Sequence, residues 1–587
     1  MAKSKSSKSG NHLLRWSEHI PASDVTDPLG LGLRGSTRIA SLLLYCITSI
    51  TPRARYYSFL PWCIANYQKH EQDKKYSLGL KEAIKLREKA LTYGCIVHHD
   101  GKPCDGGSLV GTTTAQKWWP SRKPNVNLSR LQFAKNPALN AYLNSLVNLG
   151  FFVEQDITDE LDEELDDSFI TIDDIELSDL GKELAESYDK IVGRLAVTKA
   201  VSTRERTCTT STLKEFGKRG GLCELSGQSA PDRPLLTDIF FARKGLTEKS
   251  HFRRNRSLIL MLELCRQLSD NGWQMNSYTF LACTYYGRIV EDGDSFEAAI
   301  PSSLVDIATR WKMFYFHHFM GIALEGILSW LLAQLSERGL SGSTLNILTT
   351  SLHYQNVGRE LSELLGKDIP SDFGNMTPAE FFSLFGVPTS ELSDEVSWNI
   401  DKSITAETTA TEIVLENMIL SGEYKQSPVG LALPCILLAL SMARYKRWAD
   451  TPYGHWLASD AIVRDPFLDL LPCTVLLHLD RNRKGWWQQS WADFAEYVIS
   501  RFIVQQHLSM AFEKTANGDR YLLSVDGDRL IFSRSYDKIG LGNPRLNSAF
   551  QILTDLSLWA MDNDEVRRLS TDGISLLKKE LDREGES

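Results

Sequence analysis

The chain has 587 residues and a formal net charge of -9. That length suits about three or four domains, and the ordinary apolar and charged fractions fit a soluble globular protein. The 10 cysteines are scattered without a regular framework, which argues against a disulfide scaffold and for a reducing, cytoplasmic setting.

Residues 1–22 read as a flexible basic tail, with Lys3, Lys5 and Lys8 among Ser and Gly. No apolar run follows, so a secretory signal is not expected. Asp27-Pro28-Leu29-Gly30-Leu31-Gly32 is a turn-rich lead-in to an apolar run, Ile39–Ile47. Gly30 to Gly35 matches G-x-G-x-x-G, but a phosphate loop needs a strand before it, and 24–28 offers none; a turn with a helix cap is expected. The next stretch carries Arg53, Arg55, Tyr56, Tyr57, Phe59 and Trp62, with Pro52 placed to open a helix. It reads either as a helix buried against the winged helix, with the arginines paired or solvated, or as an Arg/aromatic surface for nucleic acid or a partner. Burial is favoured, because aromatic stripes are usually core.

Lys74–Leu91 reads as an amphipathic helix. Gly94–Lys135 is rich in Gly, Pro and Trp and reads as loop. It holds Cys95, His98, His99 and Cys104, four ligand types that zinc uses. Paired C-x-x-C knuckles are absent, so no metal or other cofactor is expected. The same stretch contains Lys117, Trp118, Trp119, Arg122 and Lys123, a basic loop with stacking surfaces that suits nucleic acid.

Asn136-Pro137 opens a helix with Leu139, Leu143, Leu146 and Leu149 at helical spacing. Asn543-Pro544 opens another, with Leu546, Phe550, Leu553 and Leu556. Each copy passes into a short apolar strand and a charged loop. Each then reaches a Leu-Ser-x-x-Gly step, Leu177–Gly181 and Leu569–Gly573. Helix, strand, loop, strand, helix is the plan of a winged helix. The first loop, 154–167, is acidic, so that wing should face protein rather than phosphate.

Between the copies, Val197 to Met510 reads as mostly helical, with helical spacing in Leu258–Leu268, Leu304–Leu335 and Trp491–Leu508. Arg253, Arg254 and Arg256 head a basic cluster and are candidate DNA contacts. His317 and His318 point to neighbouring faces of a helix and read as core or boundary residues. Val429–Met442, interrupted by Pro434, is too short to span a bilayer and reads as a buried helix. Asp526-Gly527 marks a hairpin turn. The expected fold is mainly α with small β-hairpins. A tail (1–22), an N-terminal helical segment plus winged helix (23–195), a helical middle (196–510) and a C-terminal winged helix (511–587) make up the chain.

No G-x-S-x-G and no Walker loop occurs. The Leu29–Gly32 lead-in, the Thr51–Phe59 segment and the two Asn-Pro helices resemble accessory subunits of Lamassu-type anti-phage and anti-plasmid defence systems (the DdmABC kind). The resemblance implies a third subunit joining an SMC-like ATPase to an effector nuclease, with no catalytic residues to carry over. Winged helices at both ends also resemble the kleisin-type and winged-helix subunits of SMC complexes. The expectation is a non-catalytic scaffold, with no membrane and with DNA touched either directly or through the assembly. The alternatives are a stand-alone winged-helix DNA-binding regulator, or an enzyme whose site is assembled from distant residues. The regulator reading suffers from the lack of Arg and Lys between Asn136 and Gly150.

Overall fold

Apolar residues at helical spacing dominate the sequence, and helices dominate the structure. A computed structural model of the chain describes residues 27–49, 52–71, 75–104, 109–153, 175–227, 230–244, 249–291, 293–338, 344–387, 400–459, 468–482, 485–514, 521–540, 545–562 and 566–582. The basic tail, the acidic loop over 154–167 and the Asn543-Pro544 pair lie outside the described residues.

The chain opens with α1 (Thr37–Leu43), α2 (Tyr56–His70), α3 (Leu80–His98), α4 (Thr112–Trp118), α5 (Ala138–Asn148), α6 (Asp179–Val192), α7 (Ala196–Val201), α8 (Thr210–Gly220) and α9 (Arg233–Phe240). The middle follows with α10 (Lys249–Asp270), α11 (Ser277–Tyr285), α12 (Val305–Glu337), α13 (Leu345–Thr349), α14 (Gln355–Leu365), α15 (Pro378–Ser383), α16 (Ile400–Ser403) and α17 (Glu412–Ser421). Then come α18 (Val429–Ala449), α19 (Pro452–Leu457), α20 (Pro472–Asn482), α21 (Trp491–Val498) and α22 (Gln506–Glu513), and finally α23 (Leu546–Asp555) and α24 (Thr571–Asp582). The strands form antiparallel pairs: β1 (Asn125–Asn127) with β2 (Thr207–Thr209), β3 (Arg288–Glu291) with β4 (Asp294–Glu297), β5 (Leu523–Asp526) with β6 (Arg529–Phe532), and β7 (Trp559–Met561) with β8 (Arg567–Leu569). Asp526 pairs with Arg529, so the two turn residues of that hairpin are Gly527 and Asp528, one position later than the sequence suggests.

α12 and α18 form the spine. Both are long and apolar enough to cross a membrane by length and composition, and both are largely buried. α12 is apolar on every face, as a helix surrounded by protein must be. One core runs from Leu29 in the lead-in to Leu577 in α24.

The G-x-G-x-x-G stretch is part of this core. Asp27 Oδ1 accepts from the Gly32 amide at 2.9 Å, and Gly30 is left-handed. Gly35 lies against the His317 imidazole, whose Nε2 meets the Leu31 carbonyl at 3.0 Å. This is a turn feeding a helix.

α2 begins at Tyr56, later than Pro52 suggests, and 52–55 form a turn ahead of it. Arg53, Arg55, Tyr56, Tyr57, Phe59 and Trp62 are all buried. Arg53 Nε donates to Asp555 Oδ2 of α23 at 2.9 Å, and the Ala54 amide donates to the same oxygen at 2.9 Å. Arg55 Nε donates to Asp232 Oδ2 at 3.0 Å, and its Nη1 donates to the Gly221 carbonyl at 2.8 Å. A buried guanidinium is tolerable only with such partners.

The two Asn-Pro copies share their local structure. Phe151 N donates to Leu146 O at 3.1 Å, and Leu558 N to Leu553 O at 3.0 Å. Gly150 and Ser557 are both left-handed, ending their helices. Ser178 Oγ donates to Gly150 O, and Ser570 Oγ to Ser557 O, at 2.6 Å each. Each serine then caps the next helix by accepting from Gly181 N at 3.2 Å or Gly573 N at 3.0 Å. A Cβ on Gly181 would run into the Phe151 carbonyl, and one on Gly573 into the Leu558 carbonyl. Strand contact is a single Phe152–Leu177 bridge in the first copy and the β7–β8 hairpin in the second. Leu139, Leu146, Leu546, Phe550 and Leu553 are buried, while Leu143 is half-buried. Pro137 occupies the cap of α5 instead of its first turn.

Glu88 of α3 supports the first copy from below. Its Oε1 accepts from the Leu139 amide at 3.3 Å, while Oε2 has no hydrogen-bond partner among the described residues. Burial pushes its carboxyl up to about 8. Between the ordinary value of 4.5 and about 8, the folded chain therefore holds a proton that the unfolded chain has released. Stability should fall as pH rises through that window. Glu88→Gln should raise the thermal midpoint more at pH about 9 than at pH about 5, and equal shifts at both would contradict a protonated Glu88. Asp555→Ala should cost about 3–5 kcal/mol in urea unfolding by leaving Arg53 unpaired, with Arg53→Met/Asp555→Leu recovering much of that loss.

Candidate functional site

α3 and α8 meet where neither carries a side chain. A Cβ on Gly217 would strike the Gly94 carbonyl, and one on Gly94 would lie 2.8 Å from the Leu213 carbonyl. This contact brings the end of α3 and the residues after it against the segment 221–224 that follows α8. His99 Nε2 lies 3.2 Å from Cys223 Sγ, and His98 Nε2 lies 3.2 Å from Glu224 Oε1. Cys223 Sγ is 3.9 Å from Glu224 Oε1. The ligand atoms of His99, Cys104 and Cys223 all lie within 4.8 Å of one another, and so do those of His98, His99 and Glu224. His98 Nδ1 is buried without a hydrogen-bond partner among the described residues.

Cys223 donates to the Cys104 sulfur, which brings the Cys104 thiol down to about 6 against its burial. Arg53, with Nη1 4.0 Å from that sulfur, and His99 act in the same direction. Cys223 is pushed up, first by making that hydrogen bond and then by burial. Cys95 stays outside the cluster; burial pushes it up to about 12. The expectation of an ordinary loop without ligands weighed only one stretch of sequence. Cys223 stands 124 positions from His99, and Glu224 stands 126 from His98. The available signal was a further Cys-Glu pair, Cys223-Glu224, one residue after Gly220-Gly221.

The basic stretch is partly helical: Lys117 and Trp118 end α4, and Trp119–Ser121 make one tighter turn. Lys117, Arg122 and Lys123 are exposed. The Arg122 guanidinium lies 3.4 Å from the Trp119 ring centre. The other candidate cluster requires correction. Arg254 is fully buried: Nε donates to Phe240 O at 3.0 Å, Nη2 to Ile239 O at 2.8 Å and Nη1 to Tyr45 O at 3.0 Å. Arg256 is buried and donates to Ser303 O at 2.6 Å, and Arg253 is half-buried. Arg254 and Arg256 satisfy backbone carbonyls inside the fold and are not placed to meet a phosphate backbone.

His318 meets Glu416 at 2.7 Å, apart from His317. A further buried network has no local signature in the sequence. Arg444 holds Asp401 at 2.7 Å, and Glu412 accepts from Tyr285 at 3.0 Å and Tyr286 at 2.8 Å. Its charges are mutually satisfied, which marks it as structural. No protein-family profile, curated protein or solved structure matches the chain.

Proposed function

We propose that the chain is a non-catalytic scaffold subunit of a cytoplasmic bacterial DNA-surveillance complex in anti-phage or anti-plasmid defence, joining an SMC-like ATPase to an effector nuclease. The supporting observation is the pair of like units, α5–α6 and α23–α24, each built on the same serine and glycine contacts. We read both as winged helices and as docking modules fastened to one body. The strand regions expose apolar residues, with Val153 43% exposed in the first unit and Met561 52% in the second. α24 adds Ile574 at 52%. Such tips suit protein better than phosphate.

The stand-alone regulator is the weaker reading for the second unit. α23 is buried along most of its length, and its exposed Asn547 accepts from Ser277 Oγ at 2.9 Å. Direct contact with DNA falls instead to Lys117, Arg122 and Lys123 beside Trp119.

Two measurements test these assignments. Tagged chain isolated from cells expressing its native operon should bring down an SMC-like ATPase and a nuclease, and Met561→Glu/Ile574→Glu should reduce that capture while the thermal midpoint holds. Capture of neither protein would remove the scaffold reading. In the assembled complex, Lys117→Glu/Arg122→Glu/Lys123→Glu should weaken DNA binding and flatten the log–log salt slope by about three. An unchanged slope would take this surface out of the DNA path.

A further inference from the structure

The cluster at the end of α3 has a use that the scaffold reading does not call on. His99, Cys104 and Cys223 converge there from separate parts of the chain, with ligand atoms within 4.8 Å of one another, and Glu224 lies beside His99 and Cys223. His99 closes α3, Cys104 ends the turn after it, and Cys223 and Glu224 follow α8. A tetrahedral zinc site places its ligand atoms about 3.5 Å apart, given metal–ligand bonds of about 2.0–2.3 Å. The observed separations, 3.2 Å for His99–Cys223 and 3.9 Å for Cys223–Glu224, bracket that value. Two sulfurs with one imidazole and one carboxylate favour zinc over the harder magnesium and calcium, which prefer oxygen alone.

We propose that His99, Cys104, Cys223 and Glu224 bind one zinc ion. His98 acts as the positioning residue. Its Nε2 lies 3.2 Å from the Glu224 carboxylate and fixes its orientation, as outer partners of metal-bound carboxylates do. On binding, any thiol proton on Cys104 or Cys223 leaves to solvent and both sulfurs bond as thiolates.

The ion would cross-link the end of α3, the turn after it and the segment after α8. Gly101, at φ 90°, lies in the bridged turn, and a side chain there would overlap the Trp119 indole. Trp119 thus rests between that turn and Arg122. The zinc fixes the turn against which Trp119, the stacking partner of exposed Arg122, is packed.

The test uses the full chain, purified under reducing conditions without chelator. It should carry roughly one zinc per chain by mass spectrometry of the metal. His99→Gln and Cys223→Ser should each bring the content close to zero, and Cys208→Ser should leave it unchanged. His98→Gln should weaken zinc affinity about 10–100-fold, with Glu224→Gln weakening it at least as much. A ligand variant can fail to fold, so the parent chain supplies a second measurement. Stripped and refilled with Co²⁺, it should show a thiolate-to-cobalt charge-transfer band and the intense visible absorption of tetrahedral cobalt. The proposal is overturned if the folded, reduced chain holds no zinc and gives no such band. It is equally overturned if zinc survives Cys104→Ser/Cys223→Ser, or if the freshly isolated chain has a Cys104–Cys223 disulfide in place of metal.

Discussion

The buried pair Arg53–Asp555 is the constraint on which the arrangement rests. A guanidinium stripped of water must find a carboxylate and further acceptors, or remain outside the core. Arg53 finds its carboxylate in the last third of the chain, on α23, while its amide donates to Tyr142 Oη of α5 at 3.0 Å. Two residues later, Arg55 turns to Asp232 and the Gly221 carbonyl. One short turn therefore fixes the first repeated unit, the second repeated unit and the segment that delivers Cys223. Hydrophobic contact alone would hold these pieces together without choosing their register. Charges that admit few partners make that choice.

Much of the helical pattern could be read in advance because it depends on local spacing. Leu139 and Leu146, and their counterparts Leu546 and Leu553, are buried as their periodicity implies. The Leu-Ser-x-x-Gly step carries its own explanation: the serine caps and the glycine leaves room for a carbonyl, both within a few residues. The burial of α18 despite Pro434 follows from the apolar residues on all its faces between Val429 and Ala443. The β3–β4 hairpin was missed because Arg288–Glu291 and Asp294–Glu297 lack the alternation of a half-buried strand.

The candidate site was far less legible. Charge counting treated Arg253, Arg254 and Arg256 alike, yet the backbone decides what each one meets. Arg254 donates to the last two carbonyls of α9, those of Ile239 and Phe240. Nothing in a run of basic residues signals that a distant helix ends beside it. The His98, His99 and Cys104 group had the complementary difficulty. Half of its ligands come from a part of the chain placed there by the contact of Gly94 and Gly217. A spacing rule within one stretch has no access to such a contact.

The Arg53–Asp555 pair spans 502 positions. A ribosome adding about 5–20 residues per second needs roughly 25–100 s to travel that far. Throughout that interval the nascent chain carries Tyr56, Phe59 and Trp62 with no carboxylate from α23 to neutralise the guanidinium at their edge. The aromatic rings themselves can pack earlier, against Tyr142, Tyr188 and Phe216, all made before residue 217. The charge of Arg53 is the part of this turn that waits for Asp555, so the last contact to form there is electrostatic.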